Sequence, residues 1–114
     1  MTIGPASPAI ATAPSAGGTV GSTTVKDTAT LSGGSSPTGT VEFKLYGPSG
    51  TAACSGTPLD DETVTVTGTG GYSTPAGFVP SQQGTYWWTA SYSGDASNNP
   101  VASACGDESV TISP

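Results

Sequence analysis

The stretch Gly84-Thr85-Tyr86-Trp87-Trp88-Thr89-Ala90-Ser91-Tyr92-Ser93-Gly94-Asp95 constrains the fold more than any other part of the chain. It holds both tryptophans and two of the four tyrosines. Aromatic and β-branched residues between flanking glycines favour a strand. Side chains alternate across a strand, so Tyr86, Trp88, Ala90 and Tyr92 share one face. Trp87, Thr89, Ser91 and Ser93 share the other. The first set is large and mostly apolar and is the expected core face. Trp87 stands out on the polar face.

The remaining chain supplies partners for such a strand. Residues 1–8 read as a Pro/Ala/Ser linker, 9–13 as a short first strand and 14–21 as a loop. Residues 23–31 form the next strand, with Val25, Asp27, Ala29 and Leu31 on one face. A turn at 33–37 leads into 40–46, the clearest alternation in the protein: Val41, Phe43 and Leu45 point one way, and Glu42, Lys44 and Tyr46 the other. Gly47-Pro48-Ser49-Gly50 makes a turn. Residues 51–55 are expected to return as a short edge strand carrying Cys54, followed by an acidic loop over 58–62. Strands at 63–67 and 71–79 flank a hairpin turn at Gly68-Thr69-Gly70. Pro75 cannot donate to a ladder and places the second of them at an edge or a bulge. Residues 95–107 are a long loop bearing Cys105. The last strand is 108–112, with Val110 and Ile112 on one face.

Helices are opposed by 17 glycines, 10 prolines and abundant threonine. The pattern is all-β: about seven antiparallel strands in two sheets, forming a single sandwich domain over residues 9–113.

Composition excludes several functions. Two lysines and no arginine, at net charge −6, cannot neutralise many phosphates, so nucleic acid is not an expected partner. No apolar run approaches the ~20 residues that span a bilayer. Without histidine there is no Ser-His-Asp triad and no His–metal site. No cofactor and no catalysis are expected. The carboxylates at Asp60-Asp61-Glu62, Asp95, Asp107 and Glu108 lack EF-hand spacing and read as solvated loop charges. Asp27 falls on an apolar face. It is expected at the start of its strand, with its carboxylate in solvent or accepting a nearby backbone hydrogen bond.

The two cysteines, Cys54 and Cys105, form no CxxC and are too few for zinc. One pair in a Thr/Ser/Gly-rich, Lys-poor chain suits a structural disulfide outside the cytoplasm. The competing reading is two buried free thiols. If bridged, the long closed loop is worth about 4 kcal/mol in the chain-entropy model.

Several segments resemble a bacterial immunoglobulin-like repeat of the kind strung in tandem in actinobacterial surface and secreted proteins. They are Val25-Lys26-Asp27-Thr28-Ala29-Thr30-Leu31-Ser32-Gly33, Pro37-Thr38-Gly39-Thr40-Val41-Glu42-Phe43-Lys44-Leu45-Tyr46-Gly47-Pro48, Cys54-Ser55-Gly56, the Trp strand through Tyr92-Ser93-Gly94-Asp95, and Ala104-Cys105-Gly106-Asp107. The resemblance covers roughly residues 20 to 112. It implies an immunoglobulin-like sandwich, an extracellular spacer or adhesive role beside neighbouring repeats, and a disulfide joining the two cysteines. Trp87 departs from it, since such repeats more often carry a polar residue there. Tyr86, two residues before Trp88, has the placement of a tyrosine corner. Trp88 then stands where antibody domains put the second core cysteine.

The expected role is that of a monomeric, non-catalytic, disulfide-stapled module. The alternative is a carbohydrate- or protein-binding module for a host-surface or glycan ligand, using Trp87, Tyr46 and the 95–106 loop, because exposed aromatic faces stack on sugars and anchor partners. A self-formed isopeptide between Lys26 or Lys44 and Asn98, Asn99 or Asp95 needs a desolvated amine. Alternation instead puts both lysines on outward faces.

Overall fold

The computed structural model describes residues 5–52, 54–106 and 108–114. Among them the chain forms nine strands and no helix. These are β1 (Ala9–Pro14), β2 (Gly18–Thr19), β3 (Asp27–Ser32), β4 (Thr40–Tyr46), β5 (Asp60–Thr65), β6 (Gly70–Ser73), β7 (Gly84–Tyr92), β8 (Val101–Ala102) and β9 (Ser109–Ser113). One sheet has the order β1-β3-β6 and the other β2-β9-β7-β4-β5, with β8 also paired to β7. The protein is all-β and sandwich-like.

β7 is the centre of the larger sheet because its alternation is clean. Tyr86, Trp88, Ala90 and Tyr92 are each at most 1% exposed. β4 pairs along it from Val41↔Tyr92 to Tyr46↔Trp87, which brings Phe43 and Leu45 into the core at 0% exposure. Val25, Ala29 and Leu31 come from the other side of the core. On the far edge of β7, β9 pairs with residues 84–87 and β8 with residues 91–92. Because β4 already occupies the opposite edge, β8 and β9 are two pieces of one strand position. Between them residues 104–106 leave the ladder, and this bulge carries Cys105.

Several expected boundaries move. β3 begins at Asp27; Val25 instead bridges Phe78 by two backbone hydrogen bonds of 2.8 and 3.0 Å. The segment around Cys54 is not a strand in its described residues, because β5 takes the place beside β4. The expected acidic loop supplies the first half of β5, since backbone pairing with β4 runs from Val41↔Val64 through to Leu45↔Asp60. Gly68-Thr69-Gly70 is not a hairpin turn: β5 pairs with β4 and β6 with β3, so this link crosses between the sheets. β6 stops before Pro75, as a missing amide donor requires. Within the expected linker, Ala6 is already docked, its amide donating to Ser97 O at 2.9 Å. β2 pairs with β9 in parallel, so the pairing is not wholly antiparallel.

Candidate functional site

The two most distinctive segments of the sequence turn out to be each other's partners. In Pro37-Thr38-Gly39-Thr40, Thr38 gives its amide and hydroxyl to one Asp95 oxygen at 2.7 and 2.9 Å. The Thr38 carbonyl accepts the Tyr92 hydroxyl at 2.6 Å, and the Thr40 amide donates to Ser93 Oγ at 2.9 Å. Gly39 has φ +97, and a Cβ there would stand 2.5 Å from Ser93 Oγ and 2.7 Å from Gly94 O. Only glycine satisfies both demands. Asp95 also accepts the Ser97 amide at 2.7 Å and the Asn98 amide group at 3.0 and 3.2 Å. Asn98, 1% exposed, exchanges two hydrogen bonds with the Ser35 backbone. The hydrogen bonds from Thr38, Ser97 and Asn98 hold the Asp95 carboxyl below its ordinary range. These residues lock the β3–β4 turn to the loop after β7.

Two open depressions flank this lock. One, of about 640 Å³, is lined by Ser36, Pro37, Thr38, Thr67 and Gly68 among others. The other, of about 360 Å³, is lined by Ser35, Ser36, Asp95 and Ser97 among others. Ser36, at φ 44, stands between them.

Cys54 and Cys105 form a disulfide with Cα atoms 5.9 Å apart, closing a separation of 51 residues. It ties the β4–β5 loop to the bulge between β8 and β9. That loop returns over the polar face of β7: the Trp87 indole donates to Ser49 O at 3.1 Å, and the Ser49 amide to Thr85 O at 2.9 Å. Trp87 is therefore only half-exposed, and its polar atom serves the protein's own loop. Tyr46 corrects an expectation. It occupies an outward register, yet it is 8% exposed and offers no aromatic face to a ligand. The register sets Tyr46 directly across from Trp87, but of the two only Trp87 keeps part of its surface open.

Tyr86 behaves as its position predicted, its hydroxyl donating to Gln82 O four residues upstream at 2.6 Å. Both lysines lie on outward faces. Lys26 is exposed, and Lys44 sits 3.8 Å from Glu42.

Carboxylates produce the larger surprises. Registers Leu45↔Asp60 and Phe43↔Glu62 turn Asp60 and Glu62 toward the interior on the edge strand β5. Inward charges on an edge discourage pairing with other chains. Glu62 accepts the Ala76 and Gly77 amides at 2.7 and 3.0 Å, clamping the bulge after β6. Burial, followed by the hydrogen bond and charge of Glu62, pushes Asp60 up to about 7. Burial also acts upward on Glu62, but the Asp60 hydrogen bond, the two amides and the Lys26 charge outweigh it, so Glu62 ends below its ordinary value. The two carboxyls titrate as a coupled pair. Asp27 is not in solvent: it is 0% exposed, accepts the Thr28 amide at 3.0 Å, and faces Glu108, itself 2% exposed. Sequence reasoning missed both pairings. The available signal was period two, which puts Glu108 in line with Val110 and Ile112, and Asp60 and Glu62 in line with Val64.

Among the described residues no cluster of three or more Cys, Asp or Glu could hold a metal ion, and no helix is long and apolar enough to cross a membrane. No protein-family model, curated protein or solved structure matches this chain.

Proposed function

We propose that this chain is an immunoglobulin-like spacer, a non-catalytic module of an extracellular protein whose work is mechanical. The observation that carries the proposal is where the chain enters and leaves. Ala6 is held beside Ser97 and Asn99, past the end of β7, while Ser113 accepts the Val20 amide beyond the start of β7. Ala6 and Ser113 thus lie at opposite poles of β7, the arrangement that tandem spacing requires.

Further support comes from strand order. With β2 and β8 set aside, naming β1, β3, β4, β5, β6, β7 and β9 as A, B, C, C′, E, F and G gives sheets A-B-E and G-F-C-C′, an order compatible with an immunoglobulin-type sandwich. The Tyr86–Gln82 corner belongs to the same pattern. The disulfide is compatible with an oxidising compartment.

Pulling a concatemer of the domain from both ends tests the reading. Each copy should unfold in one resolved force event. The 51-residue separation closed by the bridge is hidden from extension, so reduction should lengthen each event by roughly 180 Å, at ~3.5 Å per residue. Extension without a force peak would overturn the spacer reading. The binding alternative now rests on the depressions around Ser36 rather than on Trp87. Saturable amide shifts at Ser36 and Thr38 with a glycan panel would favour it.

A further inference from the structure

A mechanical spacer has no evident need for two acids in its core, yet Asp27 and Glu108 are there. Asp27 opens β3 in one sheet. Glu108 precedes β9 in the other, where its carbonyl accepts the Trp88 amide at 3.2 Å. The two carboxyls meet across the sandwich interior, at 0% and 2% exposure. Asp27 Oδ1 takes the Thr28 amide, and the Glu108 side chain faces the same carboxyl.

Among the described residues no cationic side chain is buried beside Asp27. β1 brings Pro14 opposite Asp27, and β1 and β9 carry no titratable side chain. After β6, Thr74 takes the Asp27 amide on its hydroxyl at 3.4 Å. The phenols of β6 and β7, on Tyr72, Tyr86 and Tyr92, donate to the carbonyls of Gly68, Gln82 and Thr38. Lys26 is exposed, Lys44 lies on the outer face near Glu42, and the chain has no arginine or histidine. Two adjoining carboxyls in such a place cannot both ionise without large cost, because burial and mutual repulsion act together.

We propose that Asp27 and Glu108 form a proton-holding lock between the two sheets, which makes the domain firmest in mildly acidic surroundings and looser as they turn alkaline. The inference does not depend on the spacer reading. Burial, only partly offset by hydrogen bonds from Glu108 and the Thr28 amide, pushes Asp27 up to about 6. A raised folded-state value means that the stabilisation is complete below the unfolded value of 3.8 and is lost as pH rises through about 6. A difference of that size corresponds to at most about a hundredfold in the folding equilibrium. Asp60 titrates in the same direction, but around 7 and at the partly exposed β5 edge.

The test is urea unfolding of the disulfide-bonded protein from pH 4.5 to 8, for wild type, Asp27→Asn and Asp60→Asn, with a carboxyl NMR titration of wild-type Asp27. The unfolding equilibrium constant of wild type should rise at least tenfold, with Asp27 and Asp60 both contributing. Asp27→Asn should remove the part of the rise that ends near pH 6, whereas Asp60→Asn should leave that part in place and remove the part that continues to about 7. An Asp27→Asn slope equal to that of wild type would overturn the proposal. Should Asp27→Asn fail to fold, an Asp27 midpoint below 4.5 in the wild-type titration would overturn it equally.

Discussion

Removing the bridge with Cys54→Ser and Cys105→Ser should cost about 4 kcal/mol, nearly all of it through the unfolded chain. The separation of 51 residues sets the number: loop-closure entropy grows as the logarithm of loop length and reaches about 4 kcal/mol here. The folded state should barely respond. Cys54 is half-buried and Cys105 exposed, so no core cavity opens. The loop keeps its other ties, Trp87 Nε1 to Ser49 O, the Ser49 amide to Thr85 O, and the Leu59 amide to Leu45 O at 2.7 Å. Domains of this size are stabilised by roughly 5–15 kcal/mol, so the variant should fold with much of its margin gone. With an unfolding entropy near 2.1 cal/mol/K per residue, the melting midpoint should fall by about 15 °C. Urea titration gives a second readout. The unbridged unfolded chain is more expanded, so the slope m should increase as the midpoint drops. Near-UV dichroism of the tryptophans should be preserved. A loss under about 1 kcal/mol with unchanged m would refute the entropic reasoning. A large loss with an altered tryptophan signal would show that the bridge instead holds the loop onto β7.

Three further outcomes follow from named contacts. Tyr86→Phe leaves the ring buried but strips the Gln82 carbonyl of its donor, and should cost about 1–2 kcal/mol in urea unfolding. Gly39→Ala and Gly68→Ala both force a side chain into positive φ, at +97 and +98, for about 1–2 kcal/mol each. Gly39→Ala should be clearly worse in the same assay, because its Cβ also meets Ser93 and Gly94 while that of Gly68 meets open space. Asp95 adds stability that is present above the unfolded carboxylate range near pH 4 and is lost as pH falls through its lowered value. Thermal midpoints measured from pH 5 to pH 2 should therefore decline in wild type and flatten in Asp95→Asn.

What could be read from the residues follows the physics of alternation. A strand exposes its two faces every other residue, so the aromatic face of 86–92 and the apolar face of 41–45 announced a buried, all-β interior without any coordinates. Tyr86 was placed for the same reason, by its distance from Trp88. Local chemistry, through Pro75, also marked β6 as an edge strand, although the ladder ends at Ser73 rather than at the expected 79. Pairing partners are a different matter, because they join residues far apart in the chain. Gly68-Thr69-Gly70 has the composition of a hairpin turn, but whether it turns within a sheet or crosses between sheets depends on β3 and β4 claiming β6 and β5. Likewise, Tyr46 has an outward register and a polar neighbourhood in sequence, and its low exposure is a property of the folded whole.

The sequence by itself determined the class of fold and the residues at its centre, since these depend on propensity and period. Only the tertiary structure decided that Thr38 and Asp95 close a lock, that the Trp87 indole is engaged by the protein's own loop, and that Asp27 meets Glu108. Each joins segments 38 or more positions apart, and no local preference encodes such a meeting. It arises when the sheets close on one another and burial leaves a polar group no partner but the one across the core.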